Sequence, residues 1–577
     1  MLRLFAQHQH RPVESLDGLW DFTLADTGPI RDLDAARNVK PPRRYDRTIL
    51  TPSAWESIPA LANHRGQAWF RRVIRTPAAG VTRLVFGGIS HTATVFLDGK
   101  PIGQHYDAFT PFEITLPSPG EGEHELAIHV DNSFGDHSAL HVENDYYTYG
   151  GITRPPELHH PAAVHLRHLA VTPRTARGGT WSLDVAVEVV NCSNDAARRT
   201  VTVDLDGVTH ELGRISVPAG ATRTLRTTLT RLKVTPWAIG KPSLYDLHAR
   251  LLDGDTVTDD LIDRIGFREV KVQGRKLLLN GKSVRLRGFN RHEDLAPFGC
   301  AIPVEAIARD LHLFQDLGAN FLRTCHYPND LRLLDLCDAM GIAVWEESHA
   351  RQIKFDHPAY KRQVTASTTD MVRWHGNRAC IVMWGCLNEC ESRTAAGAAE
   401  HGRVLKLLRK LDPSRPTTYA SMFHKLDKAY KHADIVSWNR YIGWYGGGID
   451  AIEDNINDLL KWLHGSAKTG GRNKPVILSE FGGGGIAGYR NINRCKWSEE
   501  YQADLLDASL GVYLNHPDIM GTAIWQFCDV RITQGWNWDR RPRTMNNKGV
   551  VDEYRRPKLA YEVVKRRHAE AAKRWDR

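Results

Sequence analysis

The sequence predicts a multidomain β plus α/β protein, with two β-sandwiches followed by a (β/α)8 TIM barrel. Three observations predict it. A chain of 577 residues is too long for one ordinary core and implies several domains. The N-terminal part, up to about residue 265, reads almost entirely as short alternating strands. From about residue 268 the pattern changes to apolar strands interleaved with amphipathic helices.

In order, WFRRVIRT, RLVFGGIS, ATVFLDGK, FEITLP and HELAIHV are short, alternate, and are punctuated by Gly, Pro and Asp turns. A second β block follows HPAAVHLRHLAVTP, with WSLDVAVEVVN, TVTVDL, TRTLRTTL and LYDLHARLL. This spacing fits two sandwiches joined near residue 166, the second threonine-rich and immunoglobulin-like. The expected domains are therefore 1–166, 167–267 and 268–577.

The third domain opens with RIGFREVKVQGRKLLLNGK and the strand SVRLRGFN, then a helix starting at Pro303. Val304, Ile307, Leu311 and Phe314 fall on one helical face, and Pro303 and Gly318 fit start and stop rules. The strands ANFLRTC, IAVWEES, CIVMWGCLNE, TTYASM, IVSWNRY, PVILSEFG and GTAIWQFCD follow, mostly separated by helices. Near-continuous apolar strands belong to a sheet covered by helices, and eight such units favour a closed barrel over an open doubly wound sheet.

Composition narrows the class. Hydrophobic residues at 42% and charged residues at 25% are ordinary for a globular protein and leave no long stretch expected to be disordered. No run approaches the ~18 apolar residues of a membrane span, so no membrane partner is expected. The start MLRLFAQHQHRPVESLDGLW lacks the apolar stretch and cleavage site of a secretory signal, so the expected location is cytoplasmic. Nine cysteines without framework spacing read as buried free thiols, and Cys386 and Cys390 do not read as a metal pair. Neither a metal nor a cofactor is expected. The net charge of +9 and the basic C-terminal helix raise nucleic-acid binding. No aromatics interleave with that basic run, which therefore reads as a solvated helix face, and no nucleic-acid partner is expected. A mildly positive chain also suits an anionic small substrate.

In a barrel, chemistry sits where strands end and βα loops begin. Strand IVMWGCLN ends in Asn388 and Glu389, PVILS in Glu480, and IAVW in Glu346 and Glu347. IVSWNRY ends in Asn439, Arg440 and Tyr441, and GTAIWQF near Trp525 and Asp529. Glycoside hydrolysis needs two such carboxylates, one to protonate the leaving oxygen and one to attack the anomeric carbon. The retaining reaction holds them roughly 5–5.5 Å apart. Strands four and seven face each other across a barrel, so Glu389 and Glu480 can converge. Elsewhere an Asn-Glu or Ser-Glu is usually a turn or a solvated pair; placement at strand ends distinguishes these two. Trp525 is either the apolar floor beneath a pyranose ring or a core aromatic.

The blocks GLWDF, VFLDGKPIG, RGFNRHED, FLRTCHYP, VMWGCLNE, WNRYIGWY, ILSEFG and IWQF resemble glycoside hydrolase family 2, in order and over nearly the whole length. The resemblance implies a jelly-roll sugar-binding domain, an immunoglobulin-like sandwich and a catalytic barrel. It also implies Glu389 as acid/base and Glu480 as nucleophile of a retaining exo-β-glycosidase. Within the family the chain is most similar to the β-glucuronidases, in RYIGWY, DYYTYGGITR and Asn546-Asn547-Lys548-Gly549. On that likeness Asn546 and Lys548 bind the C6 carboxylate of a terminal uronic acid, by charge-assisted hydrogen bonds that a neutral sugar cannot make. Asn388 binds the 2-hydroxyl, Tyr441 steadies the nucleophile, and Tyr445 lies near the carboxylate. Asp145 reaches the ring hydroxyls from the first domain, and His292 and His326 surround the sugar. For His326, a structural role capping the following Tyr-Pro turn is the alternative. Asn439, at its strand end, completes the substrate-binding set. The resemblance further suggests a homo-oligomer, and the expected partner is a glycoside or oligosaccharide end carrying a uronic acid.

Two segments depart from the glucuronidase pattern. EESHARQIKFDHPAYKRQ lacks the long entrance loop of some gut bacterial members and carries Arg351 in a charged stretch. Pro542, between Arg541 and Arg543, occupies the place of an arginine before Asn-x-Lys. β-Galacturonidase or β-galactosidase activity stays open, as does a non-catalytic carbohydrate-binding role. The G-x-G-x-x-G of Gly483 to Gly488 continues as a polar loop, not the helix that nucleotide binding requires.

Overall fold

Two antiparallel sheets packed face to face form the first domain. One has six strands, in the spatial order Arg47–Thr51, Gly18–Ala25, Gln67–Thr76, Gly122–Asp131, Thr92–Leu97, Lys100–Tyr106. The other has four, Val13–Ser15, Gly151–His159, Val81–Ser90, Phe112–Pro117. Trp20, Phe22, Phe70, Phe86 and Ile128 fill the space between them, as period-two alternation requires. Every residue of Val81–Ser90 and Gly151–His159 is buried, because the outer face of this sheet lies against the rest of the molecule. Arg154, for example, reaches Glu293 of the barrel at 2.7 Å. This computed structural model describes residues 1–575 apart from 26, 27, 29–31, 79, 118, 119, 534 and 536–539.

The second domain packs three strands (Val164–Thr175, Trp181–Asn191, Thr222–Leu232) on four (Val208–Val217, Ala197–Leu205, Tyr245–Asp253, Thr256–Ile265). Trp181–Asn191 alternates buried and half-buried residues throughout. The boundary expected at 166/167 falls inside Val164–Thr175, which pairs with Trp181–Asn191 from its first residue; the sandwich begins at Val164.

A small antiparallel sheet (Val270–Gln273, Lys276–Leu279, Lys282–Ser283) leads into the barrel, and Val270, Leu277 and Leu279 join the barrel core. The parallel barrel strands are Leu286–Asn290, Phe321–Arg323, Ala343–Glu347, Ile381–Gly385, a fifth split into Thr417–Thr418 and Ala420–Ser421, Val436–Asn439, Val476–Phe481 and Ile519–Ile524. The eighth pairs with the first, Leu286 opposite Gly521, which closes the ring. Helix Val304–Asp316 buries Ile307, Leu311 and Phe314, as its periodicity predicts. Helix Leu331–Met340 is capped by Asp330 and ends at Gly341, with φ 68°. A Cβ there would lie 2.7 Å from the backbone nitrogen of Gly240, so both the turn and the approach to the second domain require glycine. Short 3-10 turns, not an α-helix, follow the fifth strand.

All nine cysteines are free; Cys325, Cys337, Cys380, Cys386, Cys390 and Cys528 are buried, but Cys192 and Cys300 are only partly covered and Cys495 is exposed. The basic face of the C-terminal helix Leu559–Trp575 is partly paired, Lys565 with Asp316 at 2.7 Å and Arg567 with Asp507 at 2.6 Å. No described helix is long and apolar enough to cross a membrane.

Candidate active site

The C-terminal ends of the barrel strands open into a pocket of about 640 Å³ that contains both Glu389 and Glu480. Glu480 ends the seventh strand. Its Oε1 accepts a hydrogen bond from Arg323 Nη1 at 2.9 Å and its Oε2 one from the Tyr441 hydroxyl at 2.8 Å. Arg323 is wholly buried at the end of the second strand. It also donates to both oxygens of Glu347 (3.0 and 2.9 Å), to Asn290 Oδ1 (2.8 Å) and to Asn388 Oδ1 (2.8 Å). Glu347 thus already neutralises the guanidinium. Burial, then the negative charge of Glu389, pushes Glu480 up to about 7, although Arg323 and Tyr441 pull the other way. Arg323 and Tyr441 both favour an anion on Glu480.

Glu389 lies just beyond the fourth strand, with φ 53°. Its backbone N–H is anchored to the Ala420 carbonyl at 2.9 Å. Asn439 Nδ2 donates to its Oε1 at 2.9 Å and Gln352 Nε2 to its Oε2 at 3.0 Å, with Arg351 3.8 Å away. Two neutral amides therefore orient this carboxyl. Asn388 Oδ1 is fixed by Arg323 and Asn439, leaving Nδ2 without a protein partner.

The opposite wall carries cations. Lys548, 2% exposed, donates to the Tyr445 hydroxyl at 3.0 Å and sits within 6 Å of the rings of Tyr441, Trp444 and Tyr445. Among the described residues it has no carboxylate within salt-bridge distance. Arg541 also reaches the Tyr445 hydroxyl, at 3.3 Å. Burial raises the pKa of that phenol, but Lys548 and Arg541 outweigh it and hold the group below its ordinary value. The glycine-rich run explains how Lys548 is placed. Gly485 N–H bonds the Asn547 carbonyl at 2.9 Å. A Cβ on Gly483 would meet Trp444 at 2.8 Å and one on Gly484 would meet Trp497 at 2.7 Å. The run is a packing seam that brings the 546–549 loop close to the seventh strand.

Of the residues expected in the site, Asp145, Glu389, Asn439, Tyr441, Tyr445, Glu480, Trp525 and Lys548 line the pocket. His292, His326, Asn388 and Asn546 lie one layer behind it. The His326 ring stacks on Trp525 at 5.1 Å and His292 meets Trp525 edge-on at 5.4 Å. Trp525 is thus floor and core at once. His326 Nδ1 bonds Glu347 at 2.9 Å, and its unpartnered Nε2 lies 3.9 Å from Glu480. Burial, then Arg323 and His292, keeps this ring well below its ordinary pKa and hence neutral.

Asn546, expected in a carboxylate clamp, lies just behind the pocket wall. It is fully buried and spends its amide on Asp145 Oδ2 at 2.9 Å. The second cation of the wall is Arg541, which grips Asp145 through two bonds of 2.9 and 2.7 Å. Arg541, directly before Pro542, thus places a guanidinium in the pocket wall. Reading the sequence also missed Arg323, Gln352, His424 and Arg351 as site residues. Arg323 carried a signal, since it ends an apolar barrel strand as Glu480 does. The others sit on loops with no periodic pattern.

The profile described as "Glycosyl hydrolases family 2, TIM barrel domain" matches residues 270–572, and "Glycosyl hydrolases family 2" matches 164–268. The chain belongs to glycoside hydrolase family 2. Within this family it is 26% identical to a β-glucuronidase of Streptococcus agalactiae, over 98% of this chain and 96% of that protein. Among solved structures, a galacturonate-bound family 2 β-galacturonidase from Eisenbergiella tayi superposes with a TM-score of 0.91 at 39% identity, covering 99% of both chains. A Faecalibacterium prausnitzii β-glucuronidase gives 0.83 at 27% identity, covering 98% of this chain and 99% of that one.

Proposed function

We propose that this family 2 hydrolase is a retaining exo-β-uronidase, acting as a β-glucuronidase that releases terminal β-D-glucuronic acid. The observation that carries this reading is the buried Lys548 ammonium, turned to the Tyr445 hydroxyl beside Arg541, with no carboxylate of its own among the described residues. A sugar carboxylate supplies the missing anion, whereas a neutral hydroxymethyl would leave the ammonium buried without one. The ring then lies over Trp525, with Asp145 at its hydroxyls and the orphan Nδ2 of Asn388 facing the 2-hydroxyl.

Glu480 attacks the anomeric carbon from the face opposite the aglycone as Glu389 protonates the leaving oxygen. The glycosyl-enzyme ester is then hydrolysed by a water that Glu389, now a carboxylate, deprotonates. Arg323 and Tyr441 orient the nucleophile in the first step and receive its returning charge in the second.

The 39% identity to a β-galacturonidase favours a second reading, β-galacturonide hydrolysis, which uses the same carboxylate site and differs only at the 4-hydroxyl. Turnover of matched aryl β-glucuronide, β-galacturonide and β-galactoside separates the cases. The expected order places the glucuronide first and the galactoside last. A faster galacturonide selects the second reading, and a galactoside faster than both uronides overturns the carboxylate argument.

A further inference from the structure

Away from the pocket, where the first domain meets the barrel, a buried carboxylate lies among histidines that the mechanism does not use. Asp107 follows strand Lys100–Tyr106, His141 lies in the segment leading to Asp145, and His349 follows the third barrel strand. Asp107 and His141 are each at most 1% exposed, as is His349. Asp107 Oδ1 is 3.5 Å from His141 Nε2 and 3.9 Å from His349 Nδ1, and the three residues offer ligand atoms all within 4.8 Å of one another. Among the described residues no arginine or lysine pairs with Asp107. Its Oδ1 accepts the Phe109 N–H at 3.1 Å, but among the described residues its Oδ2 has no hydrogen-bond partner, and neither has His349 Nδ1. A buried carboxylate without a fixed cation is costly unless it is paired or coordinates a metal.

We propose that Asp107, His141 and His349 bind a single divalent zinc-type ion that clamps the first domain to the barrel. Zinc–nitrogen and zinc–oxygen bonds of about 2.0–2.1 Å set tetrahedral ligands roughly 3.3 Å apart, so the observed spacings close on an ion with small side-chain shifts. Two imidazoles and a carboxylate are a familiar zinc set, with the fourth position left to an exogenous ligand. His349 is also supported as metal-bound histidines are: its other nitrogen, Nε2, meets the Tyr146 hydroxyl at 3.2 Å. Tyr146 in turn packs on His292 at 4.7 Å, behind the sugar site, and neighbours Asp145. The rival is a metal-free polar network, in which His141 Nε2 accepts the Ala108 N–H at 3.3 Å and approaches Asp107 Oδ1 at 3.5 Å, while that oxygen accepts the Phe109 N–H at 3.1 Å. No sequence spacing announces the site, because residues 107, 141 and 349 meet only in the fold.

The site is enclosed, so the ion enters during folding. The full chain, produced without a histidine tag in zinc-supplemented medium and dialysed against EDTA, should retain about one zinc per chain by elemental analysis. Asp107→Asn, close in shape, should reduce that to under about a tenth while the protein stays folded. Cobalt substitution should give the visible absorption of a tetrahedral ion in wild type and not in Asp107→Asn. Wild-type protein that carries no zinc, and whose Tm is unchanged when refolded with it, would overturn the proposal in favour of the polar network. So would a variant that keeps its metal.

Discussion

Glu480 and Lys548 are both buried titratable groups, Glu480 only partly countered by Arg323 and Lys548 without a carboxylate partner among the described residues, and this is where single residues can be tested. The folded pKa of Glu480 lies above its ordinary value of 4.5, at about 7. The folded state therefore binds the proton more tightly. The resulting stability is fully present below the unfolded pKa and is lost as pH rises through about 7. Glu480→Gln removes the charge. It should abolish turnover yet raise stability at pH 8 by roughly 2–3 kcal/mol, with no gain near pH 4. Thermal unfolding at the two pH values checks this, and a variant less stable at pH 8 would contradict it. Lys548→Met keeps the stem and drops the ammonium. It should lower kcat/KM for uronides by roughly 10–100-fold and leave neutral aryl glycosides nearly unchanged. Equal losses on both substrate types would remove Lys548 from substrate recognition.

At the level of elements, the third and fourth barrel strands approach so closely that only glycine fits between them. A Cβ on Gly385 would lie 2.0 Å from Trp345 Nε1 and 2.9 Å from Glu347 Cβ. Gly385→Ala must therefore displace Glu347, the carboxylate that neutralises Arg323. The expected cost is about 3 kcal/mol from overpacking, with a fall in kcat larger than a stability loss alone explains. Full activity in a folded variant would show that Glu347 does not hold Arg323 in place. The strands themselves were legible because continuous apolar runs between amphipathic helices have one good solution. The loops were not. Arg351 and Gln352 meet Asn144 and Glu389 through turns that leave no period in the sequence.

Across the whole molecule, one buried ionic network joins all three domains. Arg378 of the barrel bonds Asp263 of the second sandwich and, at 3.1 Å, Asp335 of the second barrel helix. Arg3 at the N-terminus bonds Asp335 at 2.5 Å and Asp263 at 3.3 Å. Removing one member leaves the others charged and buried. Arg378→Ala should destabilise by about 3–5 kcal/mol. Calorimetry should also show the sandwich and barrel unfolding separately; a single unshifted transition would deny the network this role. The same assembly gives the first domain its part in the site, since Asp145 is held by Arg541 and Asn546 from the far end of the chain.

By itself the sequence determined the barrel, the two sandwiches before it, and the two glutamates. Hydrophobic periodicity and strand ends are local properties written in consecutive residues, and the ordered family blocks reinforced them. Only the tertiary structure decided which cations line the pocket. Arg541 lines the pocket and Asn546 lies just behind it because Asp145, some 400 residues earlier in the chain, bonds both side chains. Contacts of that range depend on how domains dock, and docking follows from whole packed surfaces that no short stretch of sequence encodes.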